Sequence, residues 1–340
     1  MARKIKRIAI EEAFVTQAIL DGYDKIFADG APNEPGFRKM GETILAPTPG
    51  TRMIHERLID LGEGRISHMD ATGIDMQVIS ITSPGVQVFK GDLATELAHE
   101  ANDVLSAACQ KHPDRFAGLA AVAPQNPAAA AAELERAMQQ LGLRGFLINS
   151  HTFGEYLDDQ KYWEIFEAAE ANQAPLYLHP RTPGNGMIDP FLDYGLYFAG
   201  WGFTIETATH ALRLIMSGLF DRYPNLKIIL GHMGEGLPYW LQRLDNRYLL
   251  QVKIGAVEKM KRLPSEYFLD HFVITISGVC SEPALQHALS IMGPNRILFA
   301  ADYPYESVEE HVDFMDNVDI SDDDRAKIYH RNSEELFKLI

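Results

Sequence analysis

In the stretch KIILGHMGEGLPYWLQR, Lys227 to Arg243, an apolar β-branched run stops at a histidine and a helical pattern follows. Ile228, Ile229 and Leu230 are apolar without alternation, which predicts a strand covered on both faces and hence a parallel sheet. Gly231 lets the chain turn, and His232, Glu235 and Arg243 follow as polar groups at the rim of that sheet.

The same succession recurs along the chain. Arg7 to Ile10 ends on Glu11 and Glu12, Gln77 to Ile81 on Thr82-Ser83-Pro84, and Phe116 to Ala123 on Pro124-Gln125-Asn126-Pro127. Gly145 to Ile148 ends on Asn149, Ser150 and His151, and Pro175 to Leu178 on His179-Pro180-Arg181. Phe272 to Ile276 ends on Ser277, and Ile297 to Ala301 on Asp302-Tyr303-Pro304. With the opening stretch this makes eight strands, separated by helical patterns such as Leu93 to Gln110, Ala128 to Leu141 and Thr204 to Phe220. The expected fold is α/β, a (β/α)8 TIM barrel forming a single domain over residues 1–340. Between Asp21 and Arg52 the periodicity fails and Gly and Pro accumulate, so 21–52 reads as a long loop excursion after strand 1, a lid. Pro183 to Trp201 is a second irregular stretch, rich in aromatics, suited to covering an aromatic ligand or a subunit contact.

Composition narrows the function. A formal charge of -16 repels a nucleic-acid backbone, and no basic cluster relieves it, so nucleic acid is excluded as a partner. No apolar run approaches the roughly 20 residues of a membrane span. Glu11 and Glu12 interrupt the segment behind the basic start, which argues against a secretory signal and for a cytoplasmic protein. Cys109 and Cys280 are too few for a disulfide framework or thiolate metal site and read as buried thiols.

Loops that follow barrel strands share one mouth, where catalytic groups gather. Glu11, Thr82, Gln125, Asn149, His151, His179, His232, Ser277 and Asp302 are therefore expected to converge. Each alone could cap a helix or shape a turn, but carboxylates and imidazoles from four strands suit a divalent ion such as Zn2+ or Mn2+. Glu11, His179 and Asp302 are the expected ligands, with open positions left for chemistry. His232 beside Glu235 reads as a pair that holds or shuttles a proton. Arg243 falls roughly 12 Å beyond Glu235 if one helix carries both. His55, His99, His112, His210, His287 and His330 fall within helical patterns or loops and are assigned surface or core roles.

The strand-one acid, Leu178-His179-Pro180-Arg181, Gly231-His232-Met233-Gly234-Glu235 and Asp302-Tyr303-Pro304 together resemble the amidohydrolase superfamily, specifically its aminocarboxymuconate-semialdehyde-decarboxylase-like nonoxidative aromatic acid decarboxylases. The likeness covers nearly the whole chain. Leu58 to Glu63, Ile148 to Thr152, Met187 to Pro190 and Leu237 to Trp240 bring it nearest to the 5-carboxyvanillate decarboxylases, while Arg181 is placed as in the γ-resorcylate and 2,3-dihydroxybenzoate enzymes. Glu11-Glu12-Ala13 replaces the His-x-His of many superfamily hydrolases, and Ala13 cannot ligate.

The resemblance implies one divalent ion per chain, Mn2+ or Zn2+, held by Glu11, His179 and Asp302, and no organic cofactor. It implies a decarboxylase of an ortho-hydroxybenzoate, 5-carboxyvanillate-like, with Asp302 as proton donor assisted by His232 and Glu235. Arg52, Arg243, His151 and Arg181 are the expected substrate-binding residues. Arg243 would reach the substrate of a neighbouring subunit in a homodimer or homotetramer. The rival expectations are a γ-resorcylate or 2,3-dihydroxybenzoate decarboxylase, a metal-dependent hydrolase or lactonase, and a catalytically dead barrel serving as a scaffold.

Overall fold

The computed structural model describes residues 5–28, 34–46 and 48–339. Its strands are β1 (Ile8–Phe14), β2 (Met76–Ile81), β3 (Phe116–Gly118), β4 (Ala120–Ala121), β5 (Phe146–Asn149), β6 (Leu176–His179), β7 (Ile228–Leu230), β8 (Phe272–Thr275) and β9 (Ile297–Leu298). All pairs are parallel, in the order β1-β2-β3 and β4-β5-β6-β7-β8-β9. The two runs are one sheet in effect. Leu119 donates to Ile79 while Ala120 donates to Gly145, so β3 and β4 are halves of a single barrel strand that changes partners at Leu119. Ile10 donates to Phe299 at 3.2 Å, which closes β1 on β9 and completes a barrel of eight staves.

The unbroken apolar runs are buried as read: Ile228, Ile229 and Leu230 are each fully buried. Helices Asp92–Lys111, Pro127–Gln139 and Gly202–Met216 cover the outside. Asn126 caps the second of these by accepting from Ala129, with Pro127 at the first helical position, where its missing N–H costs nothing. No helix among the described residues is long and apolar enough to cross a membrane.

Two readings need correction. The segment 21–52 is not a loop throughout. It takes in most of helix Gln17–Ala28 and all of Pro35–Thr43, while residues 29–33 and 47 of the expected lid lie outside the described residues. Pro35 starts a helix instead of breaking one, and Phe37 and Met40, one turn apart, are buried beneath it. Behind β7, the helix does not begin at His232. His232, Met233 and Glu235 all have φ between 51° and 56°, Gly236 follows at 74°, and the regular helix is Leu241–Lys253. Glu235 and Arg243 therefore share no helix, which removes the basis of the spacing argument between them.

Candidate functional site

Strand β1 is irregular where the chemistry sits. Its register against β2 slips by one residue between Ala9 and Glu12, a bulge of the kind that re-aims side chains at barrel rims. Glu11 faces the cavity at the mouth, whereas Glu12, fully buried, turns to the neighbouring stave. Glu12 accepts from the backbone N–H of Ala301 at 3.1 Å and of Tyr303 at 3.3 Å, and from Gln77 Nε2 at 3.3 Å. Burial pushes its carboxyl up to about 7 even against these donors and the Arg65 charge.

One ligand atom from each of Glu11, His179 and Asp302 lies within 4.8 Å of the others. His179 Nδ1 is 2.8 Å from the Pro180 carbonyl, to which it donates, so its Nε2 lone pair faces Glu11 Oε1 at 3.6 Å. That is the tautomer a metal-ligating histidine takes when a carbonyl fixes its other nitrogen. The carboxylate is divided in the same sense. Glu11 Oε2 accepts from Thr275 Oγ1 at 3.1 Å and from Ser277 Oγ, whereas Oε1 is buried and accepts from no described residue. Burial opposes the charge on Glu11, but the His232 and His179 imidazoles and the Ser277 hydroxyl outweigh it and hold the carboxyl below its usual range. A Cβ at Gly231 would stand 2.9 Å from Glu11 Oε1, so a larger residue there would displace the carboxylate. An orphaned carboxylate oxygen, an imidazole lone pair and a second acid at this spacing fit a divalent cation, and their nitrogen and oxygen donors suit Mn2+ or Zn2+.

His232 Nδ1 is 2.8 Å from Glu235 Oε1, and its Nε2 is 3.8 Å from Glu11 Oε1. Burial works against its charge, but the Glu235, Glu11 and Asp302 carboxylates raise it to about 10. Asp302 is pushed well above the ordinary range by burial and by the Glu11 carboxylate. His232, Glu235 and Asp302 all sit at positive φ, 51°, 53° and 54°. Such conformations cost about 1–3 kcal/mol each and cluster where function over-determines the backbone.

These groups open on a cavity of about 180 Å³ whose remaining wall includes Met40, Ile44, Ile54, Phe198 and Phe203. A cavity of roughly 150 Å³ accepts benzene, so this one has room for one substituted ring. Met40 and Ile44 come from the first excursion and Phe198 from the aromatic stretch after β6, and Thr43 Oγ1 joins the two at 3.2 Å from the Tyr197 hydroxyl.

Other expected residues lie elsewhere. Gln125 and Asn149 are outside the cavity; Gln125 Nε2 donates to the Val86 and Phe89 carbonyls, and Asn149 N to Gln87 Oε1. His151 and Arg181, expected at the substrate, do not line the cavity and are bonded within the fold. The His151 ring bridges the Thr182 carbonyl and the Gly154 N–H at 3.0 Å each, and burial together with the Arg181 charge keeps it neutral. Arg181 is wholly buried, donating to the His151 carbonyl and to the Glu34 carboxylate. Arg52 and Arg243 are exposed and do not line the cavity, although Ile54, on the helix of Arg52, does.

Sequence reasoning also missed residues. Tyr305 lines the cavity with its hydroxyl 2.5 Å from Thr82 Oγ1, and the adjacency Asp302-Tyr303-Pro304-Tyr305 was the available signal. Glu206, which meets His210 at Ser150, and Gln87, which binds the Asn149 and His151 carbonyls, gave no local signal, whereas His210 is buried in the core as one of its two expected roles had it.

The chain is similar to several known proteins over nearly its whole length. The γ-resorcylate decarboxylase of Polaromonas sp. (strain JS666) is 38% identical over 342 residues, covering 98% of both chains. A 5-carboxyvanillate decarboxylase from Novosphingobium aromaticivorans, solved with manganese and 4-hydroxy-3-methoxy-5-nitrobenzoic acid, superposes with TM-score 0.95 at 44% identity over 99% of each chain. The 2,6-dihydroxybenzoate decarboxylase from Rhizobium gives TM-score 0.85 at 35% identity, again over 99% of each chain. The family model described as Amidohydrolase matches residues 47–339, and with the barrel and its strand-end acids and histidines already in place, this chain belongs to the amidohydrolase family.

Proposed function

We propose that the protein is a metal-dependent nonoxidative decarboxylase of an ortho-hydroxybenzoate, with a 5-carboxyvanillate-like substrate preferred. The observation that carries the reading is the Glu11, His179 and Asp302 set at one wall of a ring-sized, otherwise largely apolar cavity. When bound, a divalent ion, Mn2+ or Zn2+, would supply Lewis acidity toward an adjacent carboxylate and phenol oxygen and favour the phenolate. Glu11, His179 and Asp302 would hold it.

The chain's own groups supply the remainder. The walls exclude water and orient the ring. Asp302, at the cavity wall beside Glu11 and His179, protonates the ring carbon that bears the carboxylate. Aromaticity is lost at that step; the C–CO2 bond then breaks, its electron pair returns to the ring, and CO2 departs. The electron count closes without an oxidant or reductant, so the reading needs no organic cofactor. His232, oriented by Glu235, holds the phenolic proton.

A 5-carboxyvanillate ring carries a second carboxylate, and no Lys or Arg lines the cavity among the described residues. On this reading Arg52, on the helix that brings Ile54 to the cavity, or Arg243 of a second copy in a homodimer or homotetramer, provides the cation. γ-Resorcylate has a single carboxylate and makes no such demand, which is what favours it as the second reading. The higher similarity to the 5-carboxyvanillate enzyme supports the stated order.

The test is to load the protein with Mn2+ or Zn2+, incubate it with 5-carboxyvanillate, γ-resorcylate and 2,3-dihydroxybenzoate, and follow ring absorbance and CO2. Turnover of 5-carboxyvanillate with the highest kcat/KM is expected, abolished together with metal binding in Glu11→Ala. Hydrolysis of a lactone or ester without turnover of any phenolic acid would replace this reading with a hydrolase.

A further inference from the structure

Ser277, just past the end of β8, stands between two groups of the site without belonging to either: its hydroxyl meets the Glu11 carboxylate on one side and the backbone of His232 on the other. Thr275 and Ser277 are both fully buried. Lying two residues apart on an extended chain, they turn their hydroxyls to the same, inner side of the barrel, where Glu11 stands.

Each hydroxyl has one proton to give and two lone pairs to offer. An ionised Glu11 can only accept, so the Ser277 proton goes to Glu11 Oε2. The lone pairs of Ser277 Oγ are then open to the His232 N–H at 3.3 Å and the Thr275 hydroxyl at 2.8 Å. Thr275 Oγ1 also lies 3.1 Å from Glu11 Oε2 and accepts from the Ser277 N–H at 3.3 Å. Of the two, Ser277 is the one that also meets the turn carrying His232. Its own backbone is fixed on both sides. Ile276 N donates to the Leu298 carbonyl at 3.2 Å, and Gly278 N donates at 2.9 Å to Nε2 of the buried His311, whose Nδ1 donates to the Ser307 carbonyl at 2.8 Å.

We infer that Ser277 is a positioning residue shared by the two halves of the site: it holds Glu11 by Oε2, leaving Oε1 for a divalent ion, and with the same hydroxyl it fixes the backbone of His232 at φ 51°. The inference rests on the metal-dependent function proposed above and adds what keeps the acid of β1 and the histidine after β7 in one arrangement. Without the hydroxyl, Glu11 Oε2 keeps a single anchor, so its ordering must come from the ion's binding energy. The His232 N–H loses an acceptor at a backbone conformation that depends on its surroundings.

The experiment strips Mn2+ from the loaded protein with graded EDTA, follows released Mn2+ by its EPR spectrum, and reads amide exchange over residues 231–236 by mass spectrometry. Ser277→Ala should weaken Mn2+ binding by about 10- to 100-fold, the range for a lost outer-shell partner, and speed exchange at His232. Thr275→Val should weaken Mn2+ binding by a smaller factor and leave that exchange unchanged. Ser277→Thr restores the hydroxyl and should bring both readings back toward native, which a side chain that only fills space would not do. Ser277→Cys, close in size but a weak donor, should behave like Ser277→Ala and serves if the alanine variant folds poorly. Native-like Mn2+ retention in the alanine and cysteine variants overturns the inference. So does a Ser277→Thr variant as weak as Ser277→Ala, or equal disturbance of His232 exchange by Thr275→Val. A native protein that holds Mn2+ but turns over no phenolic acid overturns the proposed function alone, and one that holds no Mn2+ overturns both.

Discussion

Glu12 grips the backbone on either side of Asp302, accepting from the Ala301 N–H at 3.1 Å and the Tyr303 N–H at 3.3 Å. The first strand thereby sets the position of the last acid, at a residue held at φ 54°. Glu11 and Glu12 divide the labour: one points to the cavity and the other builds the far side of it. Glu12→Ala leaves both N–H groups without acceptors and frees Asp302 to relax. Because outer-shell partners of metal ligands are worth about 10–100-fold in affinity, Glu12→Ala should weaken Mn2+ binding by about that factor in a calorimetric titration. Unchanged affinity would mean that the backbone holds Asp302 unaided.

Asp302 and His232 are assigned different tasks, and substitution separates them. Asp302→Asn keeps the size of the side chain but removes the acid, so kcat should fall by at least about 100-fold, the lower end of what a positioned proton donor contributes. His232→Asn should also lower kcat while leaving Mn2+ stoichiometry intact, since His232 lies outside the ligand set. Near-native turnover by Asp302→Asn would remove it from the proton-transfer step; loss of the metal in His232→Asn would make that residue a ligand.

The parts that were legible in sequence depend on short-range pattern. Ile228 to Leu230 reads as a two-sided strand because burial on both faces demands apolar residues in succession, and Glu11, His179 and Asp302 stand out because polar residues terminate such runs. What escaped depends on distant partners. Arg181 follows a histidine expected to ligate and so reads as substrate-facing, yet its guanidinium is claimed by Glu34, 147 residues earlier. Helix Pro35–Thr43 was hidden because prolines that start helices look, in sequence, like those that end them.

The Arg181–Glu34 pair gives a stability prediction in place of a substrate-binding one. Both side chains are buried, and removing one partner from a buried ion pair typically costs about 3–5 kcal/mol by stranding the other. Arg181→Leu should lower unfolding stability in denaturant by that amount. The double replacement Arg181→Leu with Glu34→Leu should recover part of the loss, since no charge is then buried alone. Equal destabilisation by the single and double variants would show that the hydrogen bond to the His151 carbonyl, not the pair, matters.

His210 predicts how the fold responds to acid. It is fully buried, its Nδ1 is 3.1 Å from Ser150 Oγ, and its Nε2 accepts from the Leu157 N–H at 3.0 Å. The Nδ1 proton therefore points to the serine, and an added proton on Nε2 would displace the Leu157 bond. Burial, aided by the Arg213 charge, lowers His210 to about 3, whereas in the unfolded chain the imidazole titrates near its ordinary 6.5. Between those values the unfolded chain takes up a proton that the folded one refuses. Stability is therefore lost as pH falls below about 6.5 and continues to fall until about 3. From pH 7 to pH 5 this one group should remove about 2 kcal/mol. His210→Gln forfeits hydrogen bonds and is less stable at pH 7, but its decline from pH 7 to pH 5 should be shallower than the native protein's by that amount. Urea unfolding at the two pH values measures the difference, and parallel declines would mean that His210 accepts its proton while still folded.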